Sequence, residues 1–275
     1  MCALAKAGYH VVAPDLRGYG QTDSPMGVEN YTGLQIVADI VGLMDSMGEE
    51  KALIVAHDWG ANIAWYLCLA CPERVSGVTI LSVHFRKRSS ISSMLKFYRA
   101  TLGEGFNVCR FQEPGRAERD FARFPIKDCL KAAFLNKKLL IAPPDKEIMD
   151  VIEVPKALPQ WITEEYFDYL AEQFHKSGFT GPLNYYRAMD LTWEQMAPWT
   201  DKGTDVPVLF ITGDEDMLYK APGAKEYIHG GKFVQDVPNL QDIVVLCGGH
   251  FIHQESPSLV NKHILNFFDS LRSNL

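Results

Sequence analysis

The sequence predicts an α/β fold: a mostly parallel sheet with a helical cap inserted in the middle of the chain. Three observations carry that expectation. Short runs rich in Val, Ile and Leu, with no polar alternation, recur along both ends of the chain, as strands buried on both faces should. Helical patterns separate them. The middle third, from about Arg86 to Trp199, offers helices and loops but no convincing strand.

His10–Pro14, Ala52–Ala56, Val75–Val83, Val206–Thr212 and Ile243–Cys247 read as the strands, and Leu34–Met47, Gly60–Cys71 and Ser258–Leu271 as helices crossing between or after them. Within the insertion, Ser90–Leu102, Ala117–Phe124, Ile126–Leu135 and Thr163–Ser177 read as helices. The last opens on the capping box Thr163-Glu-Glu-Tyr166, imperfect because Tyr166 stands where Glu is usual. Proline marks Ala142–Asp145 and Pro155–Pro159 as loops. The domain reading is residues 1–85 as the first part of the core, 86–199 as the helical cap and 200–275 as the second part of the core.

Composition narrows function. The 275 residues hold 27 Lys and Arg against 34 Asp and Glu, a net charge of −7, so the clustered cations that nucleic acid requires are missing. The longest apolar runs, such as Val75–Val83, fall short of the roughly 20 residues that cross a bilayer. Six scattered cysteines have no metal-ligand spacing, and Cys68 and Cys71 lie late in a helix rather than at a helix start, against a redox role. Thiols in a reducing compartment fit better. The residues before His10 leave no room for a signal peptide, and Arg272-Ser-Asn-Leu275 is not a peroxisomal address, so a cytoplasmic location is expected. No cofactor or metal pattern is found, and the oligomeric state, a homodimer included, is left open.

The chemistry concentrates at three strand ends. Val55-Ala-His-Asp-Trp-Gly-Ala61 follows a buried strand and opens a helix, a strand-to-helix turn that presents its apex, Asp58, above the sheet. Small flanks, Ala56 and Gly60, permit so tight a turn. The Trp59 backbone N–H points to the same place, where the helix N-terminus favours negative charge. The plain alternative is that Asp58 only caps the helix. A second carboxylate ends the next run in Gly213-Asp-Glu-Asp216, and a histidine follows another in Cys247-Gly-Gly-His250. Parallel sheets gather functional groups at their carboxyl edge, so Asp58, Asp216 and His250 can converge. Asp214 competes with Asp216, which is preferred because two further residues let the loop reach His250. His253 competes with His250 and reads better as a surface or packing residue.

These motifs, with Asp15-Leu-Arg-Gly-Tyr-Gly-Gln-Thr-Asp-Ser-Pro25, Arg110-Phe-Gln-Glu-Pro-Gly115 and Gly178-Phe-Thr-Gly-Pro-Leu-Asn-Tyr-Tyr-Arg187, resemble those of the soluble epoxide hydrolases of the α/β-hydrolase family, the plant branch most of all, along essentially the whole chain. The resemblance implies two steps. Asp58 attacks the less hindered carbon of a small apolar epoxide while a cap tyrosine hydrogen-bonds the ring oxygen. His250, oriented by Asp216, then activates water against the resulting ester. Tyr186 matches one of the family's two such tyrosines, although pattern alone would make Tyr185 and Tyr186 helix-surface and core aromatics. Fatty-acid epoxides are substrates the resemblance allows.

Two departures from the family pattern stand out. Asn107 occupies the place of the other cap tyrosine, and loss of one acid costs about 10² to 10⁴ in rate; Tyr98 is the candidate substitute. A His-Gly-x-Pro loop, whose N–H would join that of Trp59 in the oxyanion hole, is expected ahead of Asp15 but only 14 residues precede it. The expectation is a chain lacking the first three of eight strands, a truncated gene model or splice product, with ester hydrolysis slowed by about 10² to 10³. His10–Pro14 should then pair directly with Ala52–Ala56, or the fold be marginally stable with an exposed apolar edge. Rival readings are a haloalkane or haloacetate dehalogenase, using the same aspartyl ester, and a ligand-binding protein unable to turn over.

Overall fold

The computed structural model describes residues 1–272; Ser273–Leu275, part of the C-terminal targeting reading, lie outside the described residues. Two compact units divide the chain. The first comprises Met1–Pro14, Leu34–Arg88 and Pro198–Leu275, the second Asp15–Gly33 and Ser89–Ala197.

The first unit is built on four parallel strands in the order β1 (Ala52–His57), β2 (Val75–Leu81), β3 (Val208–Gly213) and β4 (Leu240–Leu246). Registers such as His57 with Leu81, Leu81 with Ile211 and Gly213 with Leu246 bring the carboxyl ends level. All six residues of β3 are buried, because side chains of both parities find apolar cover. Leu209 and Ile211 pack with Val260, Ile264, Phe267 and Phe268 of the helix Pro257–Arg272. Phe210, of opposite parity, meets Phe233, whose ring also meets Trp65 on the helix Trp59–Ala70. A sheet covered on both faces is what the unbroken apolar runs required.

One expected strand is absent. His10–Pro14 makes no ladder, and β1 pairs with β2 alone, so the direct pairing with Ala52–Ala56 is corrected. A strand exists only through a partner's hydrogen bonds, and apolar composition does not supply one. Tyr9, its ring 5.4 Å from that of Phe268, and Val11 anchor this segment on the core instead, leaving Val12 exposed. That leaves β1 as an edge strand, with Val55 41% exposed.

The second unit is helical, with Met94–Leu102, Arg116–Phe121, Ile126–Leu135, Glu164–Ser177, Thr180–Arg187 and Met189–Gln195 as its principal helices. Thr163 caps the fourth by accepting from the Tyr166 N–H, so the half of the capping box that the sequence retains does form. Asp15–Gly33 packs here for a steric reason. Gly18, at φ +84°, lies so close to Gly181 that a Cβ on either would collide with the other's backbone. The Tyr185 hydroxyl donates to the Arg17 carbonyl at 2.9 Å and the Tyr31 and Tyr185 rings meet at 5.9 Å, closing the join. No helix among the described residues is long and apolar enough to cross a membrane.

Candidate active site

Asp58 joins the end of β1 to the helix Trp59–Ala70 with φ 52° and ψ −122°, a conformation costly to any residue with a Cβ. It occupies the N-cap position, yet its side chain makes no capping bond. Its Oδ2 lies 3.1 Å from Nε2 of His250 instead. An added Cβ at Gly60 would meet nothing within 4 Å, so crowding at that flank is not what calls for glycine.

Two strand-end loops cross to bring the other partners in. The Glu215 N–H donates to the Gly248 carbonyl at 2.8 Å and the Gly248 N–H to the Asp214 carboxylate at 3.0 Å. Gly213 permits the crossing, because a Cβ there would press into the carbonyl oxygens of Gly248 and Gly249. Asp214 is thus an exposed residue pinning the loop, while Asp216 turns inward. Fully buried, Asp216 accepts the Leu218 N–H at 2.9 Å and places both carboxylate oxygens 3.2 Å from Nδ1 of His250. Exposure falls along the relay from 44% for the Asp58 side chain to 13% for His250 and 0% for Asp216. The outermost group can meet a ligand and the innermost can only orient.

Desolvation by the surrounding protein would alone push the partly exposed Asp58 carboxyl up, but the hydrogen bond and charge of His250, with the Trp59 N–H, hold it down at about 2. Burial works against the His250 cation, and the hydrogen bonds from Asp216 and Asp58 overcome it, raising the imidazole to about 10. The pair therefore rests as carboxylate and imidazolium.

Two further residues hold His250, and the sequence reading gave neither a role. Its carbonyl accepts from Nε2–H of His57 at 2.8 Å and from the Ser82 hydroxyl at 3.0 Å. Ser82 stands just past β2 at φ 72°, which turns its side chain out of the strand run in which the sequence had placed it. His57, within the turn motif itself, is kept neutral by burial and by the neighbouring His250 charge, with its pKa lowered to about 4. The His253 ring packs 4.6 Å from that of His57, in the packing role expected of it.

Tyr186 belongs to the helical unit. Its ring lies 5.2 Å from Phe111 and its carbonyl accepts from Gln112 Nε2 at 3.0 Å. Tyr185 is the core aromatic of the two, 1% exposed, its hydroxyl engaged by Arg17. Tyr98 packs with Tyr186 against the same cluster of Leu95, Phe106, Val108 and Cys109. Asn107 opens a short helix, its N–H bonded to the Leu140 carbonyl at 2.9 Å. Among the described residues, no group of three His, Cys, Asp or Glu side chains is disposed to hold a metal ion.

A carboxylate on a strained turn, a buried carboxylate and an imidazole, in that chain order on a parallel sheet, invite comparison with known hydrolases. The family model described as the alpha/beta hydrolase fold matches residues 1–257. The chain belongs to this α/β-hydrolase family. It is similar to Epoxide hydrolase 3 of Siraitia grosvenorii, with 49% identity over 270 residues, 97% of this chain and 85% of the relative. Epoxide hydrolase A of Mycobacterium tuberculosis is 35% identical over 284 residues, covering 98% and 84%. Among solved structures, potato (Solanum tuberosum) epoxide hydrolase I superposes with a TM-score of 0.92 at 44% identity, over 98% of this chain and 87% of that one. An epoxide hydrolase from Vigna radiata gives 0.91 at 42%, over 98% and 85%. Both the fold and the plant-type resemblance read from the motifs agree with these relatives, and the chain is a hydrolase.

Proposed function

We propose that this hydrolase opens small apolar epoxides to vicinal diols through an ester on Asp58. The observation that supports this most directly is the 3.1 Å approach of Asp58 Oδ2 to a histidine whose other nitrogen is held by a buried carboxylate. A carboxylate suits an sp³ carbon as electrophile, because the ester it forms can still be hydrolysed, whereas serine would form an inert ether. The epoxide hydrolases named among the relatives support the substrate class.

In the first step an Asp58 oxygen attacks the less hindered ring carbon and the C–O bond breaks. The Tyr186 phenol gives its proton to the departing oxygen and recovers one from solvent. Esterification makes Asp58 neutral, so His250 loses one of the two carboxylates that raise its pKa. Its proton then passes to solvent and Nε2 becomes a base. Asp216 keeps the Nδ1–H oriented while Nε2 takes a proton from water; the hydroxide attacks the ester carbonyl carbon, and the Trp59 N–H faces the oxyanion. The tetrahedral intermediate then collapses: the ester C–O bond breaks, the leaving alkoxide takes the remaining proton of the former water and departs as the diol, and Asp58 returns to a carboxylate holding one oxygen from water while His250 keeps the proton it took. A cytoplasmic location, read from the cysteine usage, is proposed with this activity.

A single turnover of styrene oxide by excess enzyme in ¹⁸O-water tests the route. The label is expected in the peptide containing Asp58 and not in the first diol formed, and His250→Gln should retain a substrate adduct on Asp58. A first diol carrying solvent oxygen, with Asp58 unlabelled, would overturn it. Chloride release from a chloroalkane with no diol from styrene oxide would favour the dehalogenase reading.

A further inference from the structure

The helical unit contains a cleft of about 700 Å³ whose most buried charged wall residue is Arg110. Arg110 is 7% exposed. Its Nη2 donates to the carbonyls of Pro143 at 2.9 Å and Ala142 at 3.4 Å, its Nε is buried with no hydrogen-bond partner, and no carboxylate among the described residues reaches its guanidinium. Buried cations are ordinarily paired, since desolvating one without a counter-charge is costly.

The other charges of the cleft are spoken for. Glu104 lies 3.2 Å from Arg99, and Glu113 lies 3.3 Å from Arg116, which also holds Glu147 at 2.8 Å. Of the lining residues three are Arg and two are Glu, so the unmatched charge is positive and sits at the buried end. The wall is fixed as well. Gly105 and Ala142 pair through a backbone hydrogen bond of 2.8 Å, at a separation so close that a Cβ on Gly105 would collide with the Ala142 carbonyl. That pairing holds in place the two carbonyls that orient Arg110.

We infer that this cleft binds a small oxyanion, a carboxylate or a phosphate group, on Arg110 with Arg99 at its rim. A water molecule could fill the space but would not neutralise the charge. With Nη2 shared by two carbonyls and Nε closed off from the cleft, either anion would meet the guanidinium through its charge and the remaining Nη1, and the shared requirement is a negative group small enough to reach a nine-tenths buried side chain. The site lies wholly within the helical unit, and its argument uses none of the residues assigned to the reaction.

Thermal unfolding and calorimetric titration of the full chain with inorganic phosphate and with acetate, at ionic strength held constant by sodium chloride, test this. A saturable rise in Tm with phosphate identifies a phosphoryl-bearing ligand; the same rise with acetate identifies a carboxylate. In Arg110→Gln, whose fold is checked by circular dichroism, the response should vanish. Should that variant fail to fold, Arg99→Gln decides, since its side chain is 42% exposed and its loss leaves the core intact. The anion midpoint is then expected to weaken about three- to tenfold. No response beyond that of sodium chloride, an unchanged response in folded Arg110→Gln, or an unchanged midpoint in Arg99→Gln would overturn the assignment.

Discussion

Asp58 and His250 stabilise one another's charged forms, and the two shifts run in opposite directions with pH. His250 is raised from 6.5 to about 10, so the stability its charge brings is complete below about pH 6.5 and is lost as pH rises through about 10. Asp58 is lowered from 3.8 to about 2, so its contribution is complete above about pH 3.8 and is lost as pH falls towards 2. Replacing Asp58 by Asn removes one of the two anions facing the imidazole while leaving Asp216 in place. The His250 titration, followed by NMR of its ring protons, should then move about one pH unit or more below that of the parent chain. An unchanged titration would show that Asp58 does not sustain the imidazolium, and the proposed release of a base on esterification would fall with it.

At the scale of elements, the site depends on two loops after β3 and β4 crossing where only glycine fits. Gly213→Ala forces its methyl group into the Gly248 and Gly249 carbonyls, and overpacking of this kind costs about 1–3 kcal/mol. Urea denaturation should register that loss, and the displaced loops should separate Asp216 from His250, so diol formation drops even where the variant is fully folded; wild-type stability and turnover would contradict this crossing. The sequence disclosed the strands because buried strands are apolar throughout, and it disclosed Asp58, Asp216 and His250 because each follows such a run. It misled at His10–Pro14, where composition suits a strand but no partner supplies the ladder. It was silent on Ser82 and His57, since a hydroxyl and an imidazole aimed at a main-chain carbonyl 168 and 193 residues away leave no periodic trace. The small-flank reasoning at Gly60 also lacked a neighbour to crowd it.

Over the whole molecule, the chain's order does not coincide with its division into units. Asp15–Gly33 lies between segments of the sheet unit in sequence but packs with the helical one, and the contact that decides this, Gly18 against Gly181, joins residues far apart in the chain. Each unit has its own core and its own buried polar fixings, so damage should be confined. In the helical unit the Arg187 side chain, 4% exposed, forks onto both oxygens of Glu118 at 2.8 Å, and burial of the guanidinium makes that carboxylate its necessary counter-charge. Glu118→Gln leaves the cation buried beside a neutral amide, a change that typically costs about 3–5 kcal/mol. Amide hydrogen exchange in this variant should quicken across residues 89–197 and, because of the Gly18 contact, across 15–33, while β1 to β4 keep their protection. Uniform acceleration through the sheet would mean that the two units unfold as one, and the site on the sheet could not then be treated as standing on its own framework.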